Sequence, residues 1–299
     1  MSFNQLLAQD MMHQPNIAIV SAHNEATIHV VKRILETTSA TFTFYNHQDV
    51  TELIRSFDLS PDILTRITLH NFETETDALK HCLEDLDAQV ADILMKGHIP
   101  TAHLLSAVLK HNRTHGNHFL NHVALCDIPT YHKPLFISDV ALNIEPDEKA
   151  MQKIIRNIII FATKLGYQSL KVALLSSTEH VQTKVTSSVK AASVKETFVA
   201  DNADISVDID GPLALDNVID KKSAIQKGIH SSVAGDADAI IVPQLDVGNV
   251  LYKSLTYFGH ARIASTVLGA NYPIILTSRA DSLDNKVNSV LLAMKILVK

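Results

Sequence analysis

The sequence predicts an α/β fold in which mostly parallel strands are covered by helices. Three observations predict it. Short apolar runs alternate with longer amphipathic segments along the 299 residues. Several of these runs, such as ILM at 93–95 and IIV at 240–242, are apolar at every position, as strands buried on both faces require. Polar segments directly follow four of the strands, where open α/β sheets hold their ligands: Lys96-Gly97, Asp210-Gly211, Pro243-Gln244 and Thr277-Ser278-Arg279.

Each element has its own signal. Residues 16–21 (NIAIVS) read as a buried strand. Glu25–Thr38 is a helix, with Ile28, Val31, Ile34 and Leu35 on one face. Thr41–Tyr45 is a strand by its β-branched and aromatic content, Val50–Phe57 a short helix, and Arg66–His70 a strand. Thr74–Asp87 is a helix with Ala78, Leu79, Cys82 and Leu86 inward. Ala91–Met95 is a strand and Thr101–Lys110 is helical. Leu120–Asp127 and Leu135–Asp139 are strands. Pro129 and Pro134 interrupt the alternation between them and mark the expected domain boundary. Asp147–Leu165 is the clearest helix: Asp147 and Glu148 suit its positive N-terminal end, and Gly166 lies just past its C-terminal end. Leu170–Ser176, Ile205–Asp210, Ala239–Val242 and Ile274–Thr277 are strands. Gly248–His260 and Ser282–Val298 are helices.

Composition narrows the function. Lys and Arg number 26 against 32 Asp and Glu, a net charge of −6, which argues against nucleic-acid and anionic-membrane partners. Two cysteines, Cys82 and Cys126, are too few for a disulfide framework and sit in apolar contexts, so inert buried thiols are expected. The first residues lack the charged and apolar regions of a signal peptide. The apolar run at 154–163 is too short to span a bilayer and carries Arg156 and Asn157. A soluble cytoplasmic protein is expected.

The strand-end segments carry the chemistry. In Thr277–Ser282, Arg279 is a permanent cation for phosphate or carboxylate, and Ser278 offers a donor to a developing oxyanion. Asp281 or Ser282 could instead cap the following helix. In the segment 245–253, Gly248 permits close backbone approach, and Lys253 lies one helical turn from Asn249; a capped helix with a solvated lysine is the plainer reading. Asp208 and Asp210 beside Gly211-Pro212 read as a turn or a site, with no third ligand for a metal. His111, His115, His118 and His122 would align on a helix, but Gly116 interrupts it and a strand follows, so a polar loop is expected. No GxGxxG, GxxxxGK[ST] or GxSxG occurs.

Taken in order, the segments carry a resemblance. The run from Asp210 to Phe258 (DGPLALDNVIDKK…DAIIVPQLDVGNVLYKSLTYF), followed by ANYPIILTSRADS, resembles the phosphate butyryltransferase branch of the phosphate acetyl/butyryltransferase family. ILMKGHIPTAHLL and the stretch 121–149 look similar, so the likeness covers roughly residues 90–299. It implies a two-domain fold related to isocitrate and isopropylmalate dehydrogenases, with mostly parallel sheets and an interdomain cleft. The expected domains are 1–133 with 281–299, and 134–280. A homodimer or higher homo-oligomer is also implied.

The implied reaction is reversible transfer of a short acyl group between coenzyme A and phosphate: butanoyl-CoA and phosphate give butanoyl phosphate and CoA. No bound cofactor or metal is implied; CoA and phosphate are substrates. Ser278 and Arg279 match the pair that binds phosphate and steadies the transition state in the acetyl relatives. Those relatives place an Asp, as base for the thiol, six residues past the Arg. Asn285 stands there in this chain and cannot be a base. Asp281 and Asp284 are the candidates, unless thiolate is reached otherwise; Asp281 joins Ser278 and Arg279 in the expected catalytic set. The expected substrate contacts are Gly248, Asn249, Lys253, Lys96, Gly97, Thr101, Asp210, Gly211 and Ser231. A further departure is Asn121, where the family has Ser. Two other readings compete: acetyl or branched acyl groups as substrates, and a non-catalytic acyl-CoA-binding relative. A metal-dependent dehydrogenase would need clustered arginines, and the seven here are scattered.

Overall fold

A computed structural model describes residues 1–9, 14–115, 118–200 and 204–297. Its strands are β1 Asn16–Val20, β2 Thr41–Asn46, β3 Ile67–Asn71, β4 Ile93–Lys96, β5 Asn121–Asp127, β6 Leu135–Ser138, β7 Ser169–Leu175, β8 Ser206–Leu213, β9 Ala239–Ile241, β10 Arg262–Leu268 and β11 Ile274–Ile275. Its helices are α1 Phe3–Leu7, α2 Glu25–Thr37, α3 Thr51–Arg55, α4 Pro61–Leu64, α5 Glu75–Asp87, α6 Thr101–His115, α7 Glu148–Lys164, α8 Thr186–Thr197, α9 Leu215–Ile219, α10 Lys221–Gln226, α11 Leu245–Tyr257 and α12 Leu283–Lys295. Among the described residues, no helix is long and apolar enough to cross a membrane.

The chain forms two compact units. Unit A holds residues 7–118 and 264–299; unit B holds 1–6 and 119–263. The chain crosses between them at 6/7, 118/119 and 263/264; the expected boundaries were 133/134, from the prolines, and 280/281, from the resemblance. The reason is local. β5 and β6 pair antiparallel, with Cys126 opposite Leu135, so the Pro129–Pro134 stretch is the connection between two neighbours in one unit. The expected helix ending at Val298 starts at Leu283, and Val298 lies outside the described residues.

In unit A the strand order is β3-β2-β1-β4-β11-β10, all parallel except β10, which runs antiparallel to β11. Ile17, Ile19, Phe42 and Phe44 of the strands pack with Ile28, Val31 and Ile34 of α2 and with Val290 and Ala293 of α12. Parallel strands bring their carboxyl ends together, so residues 21–23, 46–47 and 96–98 gather on one edge. Gly97 makes this possible: a Cβ there would lie 2.3 Å from the Ser21 carbonyl oxygen. Its N–H donates to Val20 O at 3.0 Å, and that of His98 to Ser21 O at 2.7 Å.

In unit B the order is β5-β6-β9-β7-β8, parallel beyond the β5–β6 pair. Ile137, Ala173 and Ile240 form the centre of one core, with Val218, Ala234 and Ile263 around them. Asn121 is buried and ties strands to helix: its amide donates to Ser138 Oγ at 2.9 Å, and its oxygen accepts from Asn157 at 2.6 Å. Cys82 and Cys126 are free and buried, and burial pushes both thiols up, so neither is a nucleophile at neutral pH.

Candidate functional site

Unit A carries a set of cations at its strand ends. Lys96, the last residue of β4, is 7% exposed. Its ammonium donates to Gly97 O at 3.3 Å, and among the described residues no carboxylate lies within ion-pair distance of it. Burial first, and then the charges of Arg279 and Lys286, hold its pKa below the usual lysine value of 10.5. Lys286 in turn donates to Arg279 O at 3.3 Å. A buried ammonium facing two other cations is a costly arrangement that an anion relieves.

The loop from β11 to α12 delivers Arg279. Asp281 Oδ2 accepts from Ser278 N–H at 2.7 Å, and Ser278 Oγ accepts from Ala280 N–H at 3.3 Å, which fixes the turn that presents exposed Ser278 and Arg279. Ser282, not Asp281, caps α12, accepting from Asn285 N–H at 3.2 Å. Asp284 is exposed and lies 3.9 Å from Arg33. Asn285 is buried. Thr101 opens α6 and is exposed. The structure therefore brings Lys96, Gly97, Ser278, Arg279 and Asp281 into one unit. It adds Lys286, which sequence reading missed because a lysine one turn into a helix looks like a solvated face.

The energetics of Lys96 yield a prediction. Between its lowered pKa and 10.5 the unfolded chain binds the proton that the folded chain has lost, so stability rises with pH through that window. Lys96→Met removes the uncompensated charge. Scanning calorimetry without phosphate should show a higher melting temperature than wild type at pH 7, with the gap narrowing as pH approaches the usual lysine value. Phosphate should stabilise the variant less than wild type. A lower melting temperature at pH 7 would contradict the charge argument.

In unit B, Gly248 packs on the turn after β6: a Cβ there would lie 2.2 Å from Asp139 O. Asn249 donates to Val140 O at 3.4 Å, and Lys253 is exposed on the same helix. That helix starts three residues earlier than expected, at Leu245. Asp139 is buried and accepts from the backbone N–H groups of His122, Ala141, Leu142 and Asn143 and from the Asn143 amide, at 2.5–3.3 Å. Its role was invisible in the sequence because four of its five donors are main-chain groups.

Asp210, Gly211 and Ser231 also come together, but their contacts are internal. Burial raises the Asp210 carboxyl, and bonds from Lys195, Ser231 and Gly211 N–H outweigh it and hold the pKa below normal. Lys195 stands 2.6 Å away, so the charge at Asp210 is already answered. Asp208 accepts from Ser232 at 2.8 Å. Among the described residues no group of three His, Cys, Asp or Glu is arranged to hold a metal. His111 pairs with Asp87 at 2.6 Å, His122 is buried on β5, and the side chain of His115 lies outside the described residues.

Parallel strands with cations at their carboxyl ends give an α/β protein with a charge arrangement suited to an anion. The family model described as Phosphate acetyl/butaryl transferase matches residues 73–294. A probable phosphate butyryltransferase of Bacillus subtilis is 36% identical, over 98% of this chain and 97% of that protein. A branched-chain phosphotransacylase from Enterococcus faecalis superposes with a TM-score of 0.82 at 30% identity, covering 95% of this chain and all of that one. 4-Hydroxythreonine-4-phosphate dehydrogenase from Klebsiella pneumoniae shares the fold alone, with a TM-score of 0.59 at 10% identity over 95% of this chain and 99% of that one. The fold is thus the dehydrogenase-like α/β type. The chain belongs to the phosphate acetyl/butaryl transferase family and is an acyltransferase.

Proposed function

We propose that the enzyme transfers a butanoyl group reversibly between coenzyme A and inorganic phosphate. The observation that carries this reading is the buried Lys96, with no carboxylate partner among the described residues, beside Arg279 and Lys286, a charge set suited to a phosphate dianion. On this reading the cations hold phosphate while one of its oxygens attacks the thioester carbonyl carbon. The new C–O bond forms, the C–S bond breaks, and CoA leaves as thiolate and takes a proton from water. Ser278 donates to the carbonyl oxygen as negative charge develops on it. The phosphate dianion brings its own nucleophile, so this direction needs no base, and the main demand is to align two anions. In reverse, Asp281 is the carboxylate assigned to the thiol proton, since Asn285 has no proton affinity. Gly97 and Thr101 of unit A are assigned to substrate contacts on this reading. The enzyme works in the cytoplasm, as a dimer or higher oligomer, as the family resemblance implies.

The test follows CoA thiol release from butanoyl-CoA with and without phosphate, with acetyl-CoA and isobutanoyl-CoA in parallel. Phosphate-dependent release fastest with butanoyl-CoA is the expected result. Faster release with isobutanoyl-CoA would move the preference toward that of the Enterococcus relative. No phosphate-dependent release from any of them would overturn the reading.

A further inference from the structure

Lys96 has the surroundings of a nucleophile as well as those of an anion contact. It ends β4, which lies between β1 and β11, and its partner across the sheet on β1 is Val20. Those two neighbouring strands, NIAIV and II, face it with no charged side chain. Among the described residues its nitrogen has one hydrogen-bond acceptor, Gly97 O at 3.3 Å, and the residue is buried. The charges that act on it are both positive: Arg279 on the loop from β11 to α12, and Lys286 on α12. His98, two residues on, is exposed. Burial and neighbouring cations favour the neutral amine, whose lone pair is a nucleophile. Other lysines are held in the opposite state. Lys133, Lys171 and Lys195 each stand 2.5–2.6 Å from an aspartate oxygen, which favours the ammonium form.

We infer that Lys96 is a self-acylation site, modified by the acyl phosphate that forms among the cations around it. The inference rests on the reaction proposed above, whose product is a mixed anhydride and hence an acyl donor to amines. Holding that product by its phosphoryl group keeps its carbonyl carbon near the Lys96 amine. The neutral amine attacks that carbon. The C–N bond forms, the bond from the carbonyl carbon to the phosphoryl oxygen breaks, and the amine proton leaves with the phosphate as monohydrogen phosphate. No oxidant, reductant or further reactant is needed. The amide that results carries no charge, so one of the three cations is lost and the site holds phosphate less well. Accumulated acyl phosphate thus switches off the enzyme that makes it, most readily when no CoA is present to take the acyl group back.

The test incubates the full-length wild-type protein with butanoyl phosphate at pH 8, without CoA, and follows each lysine by peptide mass spectrometry. Lys96 should be butanoylated at least tenfold faster than the exposed Lys149 and Lys222, and activity should fall in step with its occupancy. The adduct should resist hydroxylamine, as an amide does and a serine ester does not. Inorganic phosphate should slow Lys96 modification at least fivefold and leave the exposed lysines within twofold. The advantage of Lys96 should narrow as pH approaches 10.5, where exposed amines also become neutral. Arg279→Ala should slow Lys96 modification at least fivefold, because it removes both a phosphoryl contact and a charge that favours the neutral amine. A Lys96 rate no greater than those of the exposed lysines would overturn the inference. So would a rate indifferent to phosphate, or a hydroxylamine-labile adduct on Ser278 in its place. Phosphate-sensitive modification of Lys96 in a protein that releases no thiol from butanoyl-CoA would keep the lysine assignment and remove the proposed reaction. Thiol release with Lys96 unmodified would do the reverse.

Discussion

Replacing Arg279 by alanine is expected to lower kcat/KM for phosphate at least tenfold. An anion contact to a charged donor is worth ~1.5–3 kcal/mol, and 1.4 kcal/mol is already a factor of ten. The side chain is exposed on a turn held by Asp281 and Ser278, so its removal leaves the core untouched. Arg279→Ala should therefore melt within about 2 °C of wild type, and the loss should read as chemistry. Arg279→Lys should recover part of the activity, because it restores the charge without the planar fork. Removing a cation near Lys96 should also lift the Lys96 pKa toward its ordinary value, so the alkaline limb of the pH–rate profile should move to higher pH in the residual activity. Full activity in Arg279→Ala would end its assignment to phosphate.

Replacing Asp139 by alanine should have the largest effect on stability. The buried carboxylate receives four backbone N–H groups and one side-chain amide, the bond from His122 fully buried and the other four part-buried. Each buried donor left without a partner costs ~1–3 kcal/mol, and the losses do not add fully, so about 3–5 kcal/mol is expected overall. Gly248 and Asn249 rest on the backbone of this turn, through Asp139 O and Val140 O. The same substitution should therefore displace the start of α11. Chemical denaturation measures the first effect, and amide hydrogen exchange across 245–250 the second. Asp139→Asn keeps acceptor capacity on one oxygen and should lose less. A variant within 1 kcal/mol of wild type would show that water replaces the carboxylate.

Much of the fold was legible because buried parallel strands are apolar at every position, and the helices between them carry one-sided stripes. Where that contrast fades, the reading failed. β10 carries Ala264, Ser265 and Thr266 through its middle, so its burial leaves no apolar run to notice. α8 reads TSSVKAASVKET, in which small and polar residues surround every valine. The site divided along a similar line. Ser278 and Arg279 stood out because a strand, a cation and a helix start occur in sequence. Lys96 was named as a strand-end lysine, but its isolation from carboxylates needs three dimensions. Asp210 was read as part of a turn or a site; its pairing with Lys195, fifteen residues upstream, follows no spacing rule. Pro129 and Pro134 punctuate the chain as a boundary would, yet they serve a connection between paired strands.

The division of unit A into two stretches of sequence has a consequence for how the protein is made. Residues 119–263 of unit B leave the ribosome as one continuous block, which can collapse on its own core. Unit A must wait. Until residues 264–297 emerge, β4 lacks the β11 pairing that covers its free side, and α2 lacks the apolar partners Val290 and Ala293. During that interval β4 is an open sheet edge of the kind that recruits other chains. Lys96 is synthesised about 180 residues before Arg279, so Lys96, Arg279 and Lys286 meet only when translation is almost complete. A nascent chain stalled after unit B thus holds a finished half and an exposed one. Chaperone demand and aggregation in expression should concentrate in that last tenth of synthesis, and enzyme activity should appear abruptly at its end.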